Sequence, residues 1–239
     1  MRDKITNLFI KVMEGKGLTK VPLLMRSFYL ISRIFNIKIY GELEGMKIQA
    51  KISPKRILWY SDKYNPEAHV RKVFCSLIKE GMTVVDAGAF IGYYTLLASK
   101  RVGSSGKVLA FEPDPVNFKI LSENVQINGI RNVLLFNKAL GAEFGKLRFD
   151  VYSYDYFGRS KTGNVYVDVI PLDFIEKDVD LVKIDVIGAE LEVLRGMEDM
   201  LSEGKVKVIC EVYPDELKML GYSVKDFERY LKEKTIASI

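Results

Sequence analysis

A single histidine and two cysteines among 239 residues leave the chain without the spaced His and Cys ligands of a familiar metal site. His69 follows Pro66-Glu67-Ala68 at the start of a helical pattern, with no Cys, His or Asp cluster around it, and is expected to be structural or exposed. Cys75 and Cys210 sit in the apolar contexts Val-Phe-Cys-Ser-Leu-Ile and Val-Ile-Cys-Glu-Val, which suit buried free thiols of a reducing compartment. Repeats and low-complexity tracts are missing too, so disorder is expected only at the termini. No apolar run reaches the ~20 residues of a membrane span. Residues 21–37 come nearest, but Arg26 and Arg33 interrupt them; they read as a buried helix or, alternatively, as an amphipathic helix on a membrane surface. Met1-Arg2-Asp3-Lys4 is followed by too short an apolar run for a signal peptide, so a cytoplasmic location is expected. Basic residues outnumber acidic ones, 36 to 31, yet they are scattered among the acids, which weakens a nucleic-acid reading.

What is present is an ordinary soluble composition, 48% hydrophobic and 28% charged. The length suits one sizeable α/β domain with an N-terminal addition, and is too short for two full enzyme domains. The richest stretch is Val84-Val85-Asp86-Ala87-Gly88-Ala89-Phe90-Ile91-Gly92-Tyr93-Tyr94-Thr95, a β-branched run that ends in a carboxylate and a glycine-punctuated turn. About twenty residues on, after a second apolar run, stands Glu112, the offset at which nucleotide-binding α/β folds hold a ribose. A dinucleotide fingerprint needs glycine at two further positions of the turn, where this chain has Phe90 and Tyr93. Those aromatics argue against NAD or FAD, and Asp86 would repel a pyrophosphate while attracting a cation. S-adenosylmethionine, with its adenosine, sulfonium and ammonium, fits better.

Residues 1–40 read as helical, followed by strand-like alternation at 47–52 and 57–60; a helix from Pro66 to about Lys79 then stops at Glu80-Gly81. We therefore divide the chain into an N-terminal helical and β cap, residues 1–80, and a nucleotide-binding domain, residues 81–239. In the second part, strands are expected at 83–86, 107–112, 132–137, 181–185 and 206–211, with helices at 92–101, 115–128, 188–202 and 223–234. This βαβ series predicts a parallel sheet with helices on both faces. Four of its five parallel strands end in Asp86, Glu112, Asp185 and Glu211, and strand C-termini share one edge, so all four acids are expected at one crevice. Residues 152–163, rich in aromatics and cations, lie between strand patterns at 147–151 and 165–170 and read as a long hairpin loop suited to a substrate lid.

The segments VVDAGAFIGYYTLLA, FEPDPVNFKILSENVQING, Asn137-Lys138-Ala139-Leu140-Gly141, IPLDFI and, most specifically, LVKIDVIGAELEVLRGM resemble those of the FkbM-type class I methyltransferases, over residues 64 to 239. The resemblance implies a Rossmann-like, mostly parallel six- or seven-stranded sheet that binds S-adenosylmethionine and methylates hydroxyls of sugars or other small metabolites. Two positions depart from the family: Ile187 stands where Glu is usual, and Glu211-Val212-Tyr213 where an acid-x-His pattern is frequent. Residues 235–239 leave room for one strand after the last helix, so the usual final hairpin is expected to be missing and the acceptor pocket more open.

Under this reading Asp86 holds the methionine ammonium directly or through water, beside Gly88, Ala89 and Gly92 of the turn. Glu112 accepts both ribose hydroxyls, and Asn137 and Ala139 line the adenine mainly through backbone. Asp114, in Glu-Pro-Asp-Pro, is read as a helix cap. Methyl transfer needs alignment and one base, and Asp185 is the first candidate, since Lys183 points to the same face and would hold it ionised. Glu190 and Glu211 are the others, and three such acids would alternatively hold Mg²⁺. RNA is the second acceptor class, although no Asn-Pro-Pro-Tyr or Asp-Pro-Pro-Tyr signature is present. A cofactor-binding protein without transferase activity is the third reading.

Overall fold

A computed structural model describes residues 40–49, 67–155 and 158–234. The expectations for residues 1–39, 57–60 and 235–239, including the membrane-surface helix and the last strand, lie outside the described residues. Along the chain come the hairpin β1 (Tyr40–Leu43) and β2 (Met46–Gln49), helix α1 (Ala68–Leu77), β3 (Thr83–Ala87), α2 (Tyr93–Val102), β4 (Lys107–Phe111), α3 (Pro115–Ile127) and β5 (Val133–Phe136). A short β6 (Ala139–Leu140) and the antiparallel pair β7 (Gly145–Asp155) and β8 (Gly158–Ile170) follow. Then come β9 (Leu181–Ile184), α4 (Glu190–Arg195), α5 (Glu198–Ser202), β10 (Lys207–Cys210), α6 (Pro214–Met219) and α7 (Val224–Glu233).

Five strands form a parallel sheet in the order β10-β9-β3-β4-β5. All five residues of β3 are buried, as a parallel strand covered on both faces requires. Val84, Val108 and Leu181 face Leu96 and Leu97 of α2 and Phe74 of α1, while Val85, Leu109, Val182 and Ile184 face Leu191, Leu194 and Phe227 on the other side. Sequence order reverses between β3 and β9, and at such a switch point a crevice opens outside the carboxyl ends of the strands. This is the Rossmann-like doubly wound fold, and the crevice lies at the ends of β3, β4, β9 and β10. Among the described residues no helix is long and apolar enough to cross a membrane.

Helix α3 starts as expected: the Asp114 carboxylate accepts the N–H of Val116 and of Asn117, and Pro115 occupies the first helical position. Two expectations need correction. The helix read over residues 188–202 is two helices, because Gly196 packs so closely under the end of β6 that a Cβ there would lie 2.0 Å from the Gly141 carbonyl oxygen. The second of them is capped from a distance, with the Asp173 carboxylate accepting the N–H of Asp199 and Met200. Residues 152–163 are also not a long loop, since β7 and β8 stay paired to Asp155↔Gly158 across an irregularity at Val151/Tyr152. The stretch whose aromatics and cations suit a lid belongs to a paired ribbon.

The β1–β2 hairpin shares the main core, with Leu43 and Ile48 buried in the cluster that holds Val84 and Leu96. Glu44 binds Arg71 of α1 and Arg101 of α2 at 2.7 and 2.8 Å, and these guanidiniums hold its carboxyl down at about 2. Asn124 of α3, fully buried, makes the polar seam: it accepts the Gln49 N–H at 2.7 Å and donates to the carbonyls of Gln49 and Ile91 at 3.1 and 2.8 Å. Asn124→Ala would leave three buried backbone groups without partners, so unfolding in urea should show a loss of about 3 kcal/mol. Asn128→Ala, on the exposed end of the same seam, should cost about 1 kcal/mol or less.

Candidate active site

The turn after β3 is shaped by two close approaches. Gly88, at φ +84, lies so near the end of β9 that a Cβ would sit 2.0 Å from the Asp185 carbonyl oxygen. Gly92, at φ +95, caps α2, where a Cβ would meet the Leu121 side chain at 2.7 Å. Between them Phe90 also takes a left-handed φ of +52, unusual for a residue with a side chain. The N–H groups of Gly88 and Ala89 both donate to the Phe111 carbonyl at 2.9 Å. Tyr93, at a position a dinucleotide site keeps bare, and its neighbour Tyr94 are buried, and the Tyr94 ring meets Phe74 edge-on at 5.0 Å. They fasten α1 to α2.

Glu112 is tied to this turn: its Oε2 accepts the Phe90 N–H at 2.7 Å and its Oε1 the Asp114 N–H at 2.9 Å. Burial nonetheless dominates and raises its carboxyl to about 7, against the downward pull of those backbone donors. Asn137 donates to the carbonyls of Glu112 and Pro113 at 2.8 and 3.1 Å, so its side chain serves the loop, and Ala139 opens β6.

The other acids gather at the ends of β9 and β10. Lys183, 1% exposed, places its Nζ 3.0 Å from Asp185 Oδ2, the contact expected from their spacing, and 4.3 Å above the Tyr94 ring. The Tyr213 hydroxyl donates to Asp185 Oδ1 at 3.1 Å. Burial first, then the charges of Asp185 and Glu211, push that phenol well above its usual range, so it stays a donor. Glu190 is fully buried; its Oε1 accepts the Gly188 N–H at 2.7 Å while its Oε2 has no partner, and the same is true of the buried Glu211 Oε2. Burial raises the carboxyl pKa of both, and Asp185's charge adds to it. Among the described residues no three His, Cys, Asp or Glu side chains are placed to hold a metal ion.

Asp86 lies two residues deeper in register than the other three strand-end acids. It pairs in register with Lys183, is 1% exposed and accepts the Thr95 hydroxyl at 2.6 Å. Burial raises its pKa despite Lys183 and Thr95. Three site residues escaped the sequence reading. Tyr213 stands in the sequence only as a departure from the acid-x-His pattern, although its place two residues beyond a strand-end acid is the signal that finds it. Tyr94 and Glu67, joined by a hydroxyl-to-carboxylate bond of 2.9 Å, carry no local signal, because α1 and α2 bring them together.

Residues 86–235 match the FkbM methyltransferase domain family. A curated relative, Methyltransferase 1 of Beauveria bassiana, is 32% identical over 146 residues, covering 48% of this chain; the chain spans 58% of that relative's length. The hexuronic acid methyltransferase AglP of Haloferax volcanii is 25% identical over 206 residues, 83% of this chain and 81% of the relative. A solved S-adenosylmethionine-dependent methyltransferase from Aquifex aeolicus is 22% identical with a TM-score of 0.43, over 71% of this chain and 78% of the other.

The Gly88 contact is with backbone, which has no rotamer to yield. Gly88→Ala should therefore cost roughly 3 kcal/mol or more in denaturant unfolding. Gly129→Ala, also at positive φ but with nothing within 4 Å of the new Cβ, should lose only about 1 kcal/mol.

Proposed function

The chain belongs to the FkbM methyltransferase domain family, and on that footing we propose that it transfers the methyl group of S-adenosylmethionine to a hydroxyl of a sugar or other small metabolite. One observation carries the proposal: a carboxylate, Asp185, gripped by Lys183 and Tyr213 beside the Gly88 turn at the switch point of the sheet. Features of this chain fit the cofactor. The turn has no Cβ at Gly88, Glu112 brings an acceptor carboxylate to the end of β4, and the orphaned oxygens of Glu190 and Glu211 call for donors.

When bound, S-adenosylmethionine supplies a methyl carbon already activated by its sulfonium. Glu112 would hold the ribose through its hydroxyls, and the backbone at Asn137 and Ala139 would line the adenine. Asp86 supports the turn from beneath, and with 1% exposure it acts on the methionine ammonium at most through an intervening water. Asp185 would take the proton of the acceptor hydroxyl as general base. Glu190 and Glu211 accept neighbouring hydroxyls of the acceptor. The name of AglP supports the sugar class, and two free thiols suit a cytoplasmic setting. A general base suffices for this chemistry, so turnover should be insensitive to chelators; chelator sensitivity would favour Mg²⁺ instead.

Incubation with methyl-labelled S-adenosylmethionine and a fractionated cell extract should place label in carbohydrate or small metabolites. Label in RNA would overturn the acceptor class, and no label together with no binding of S-adenosylhomocysteine would overturn the activity. On the acceptor so found, Asp185→Asn should lower turnover by about 10²-fold with cofactor affinity little changed.

Glu112 makes the binding step pH-dependent. In the free protein its carboxyl titrates at about 7, whereas an acceptor of two hydroxyls must be ionised. Binding therefore releases a proton below that pH, and affinity rises with pH. Calorimetry with S-adenosylhomocysteine should show about a tenfold gain from pH 6 to 8, and Glu112→Gln should abolish the pH dependence.

A further inference from the structure

We propose that Tyr213 is a positioning residue for Asp185: its hydroxyl on Oδ1 and the Lys183 ammonium on Oδ2 together fix the plane of the carboxylate that receives the acceptor's proton. The proposal rests on the reading of Asp185 as the base. One donor would not suffice, because the carboxyl torsion of an aspartate is broad and roughly two-fold, so a carboxylate held at one oxygen still swings. Donors at 3.1 and 3.0 Å on the two oxygens remove that freedom. Each oxygen keeps a second lone-pair site, which is where a substrate hydroxyl can bind.

The hydroxyl is brought there by backbone. Tyr213 is the N-cap of α6, Pro214 sets the first helical position, and Leu217 anchors the helix with no exposure. Gly188, three residues beyond Asp185, packs against α6 so tightly that a Cβ would lie 2.9 Å from Glu216. The segment that carries Asp185 is thus fitted directly to the helix whose first turn Tyr213 caps. Ile187, at φ +54, is a β-branched residue held in the left-handed region at this junction, a strain that only a tightly determined turn sustains.

The charge balance gives the phenol its importance. Asp185 faces Asp86 from β3, Glu190 from α4 and Glu211 beyond β10, with Lys183 as the cation among them. The phenol has a single proton. It goes to Asp185 Oδ1 at 3.1 Å, with the Glu211 carboxylate as a second neighbour of the hydroxyl, and Glu211 Oε2 has no hydrogen-bond partner. The direction of the bond is settled because both neighbouring carboxylates oppose ionisation of Tyr213.

Carboxyl carbon NMR titration tests this without any acceptor, the Asp185 signal being assigned by its loss in Asp185→Asn. In Tyr213→Phe, which keeps the ring, the midpoint should move upward by about half to one pH unit, because a donor to the charged form is gone. Tyr213→His, which restores a ring N–H, should move less. A folded Tyr213→Phe whose midpoint coincides with the native one overturns the proposal, as does a histidine variant that shifts as far as phenylalanine. If Tyr213→Phe fails to fold, Tyr213→His alone decides: a shift of a full unit or more overturns the proposal and a smaller one supports it. The titration is independent of cofactor binding, so failure to bind S-adenosylhomocysteine would sink the transfer reading and leave this result standing.

Discussion

A lysine ammonium sealed at 1% exposure in a parallel sheet has to be answered by charge, and the upper end of this molecule is arranged around that requirement. An unpaired buried ion costs several kcal/mol, so Lys183 draws its surroundings inward. Asp185 lies on its tip, Asp86 stands opposite in register on β3, and the Tyr94 ring covers it. Tyr94 belongs to the helix that follows the Gly88 turn, and its hydroxyl reaches Glu67 at the entrance to α1. One buried charge therefore couples the turn, the base candidate and the first helix. Because Asp86 shares this inward role, the strand-end acids divide by place: one beneath the turn, one at the end of β4, and two at the ends of β9 and β10.

The backbone at the crevice is as constrained as the charges. Gly88 and Gly188 each admit a neighbouring backbone where a Cβ would not fit, the first against β9 and the second against α6. Phe90 and Ile187 hold left-handed conformations at the matching points of the two turns. Strain of this kind persists only where surrounding contacts over-determine it. Here those contacts include the Glu112 carboxylate on the Phe90 N–H and the Glu190 carboxylate on the Gly188 N–H. Each turn is thus held by a buried acid that bonds its backbone directly.

The parallel sheet and its strand-end acids were legible in the linear chain because local signals sufficed. Near-continuous apolar runs ending in Asp86, Glu112 or Asp185 specify buried strands, and Asp114-Pro115 specifies a helix start, whatever the rest of the chain does. The side of the sheet shared by Lys183 and Asp185 followed from strand alternation alone. Where the reading missed, a distant neighbour was in command. Gly196 breaks its helix because Gly141 lies beneath it, and the ribbon at residues 145–170 is extended because each strand finds its partner in the other. The sequence by itself determined the strands, the glycine turn, the strand-end acids and the family. Only the tertiary structure decided that Asp86 faces inward, that Glu112 is buried enough to titrate at about 7 and that Tyr213 meets Asp185. Burial and the meeting of residues far apart in the chain arise from the packing of several elements at once, and no local pattern encodes them.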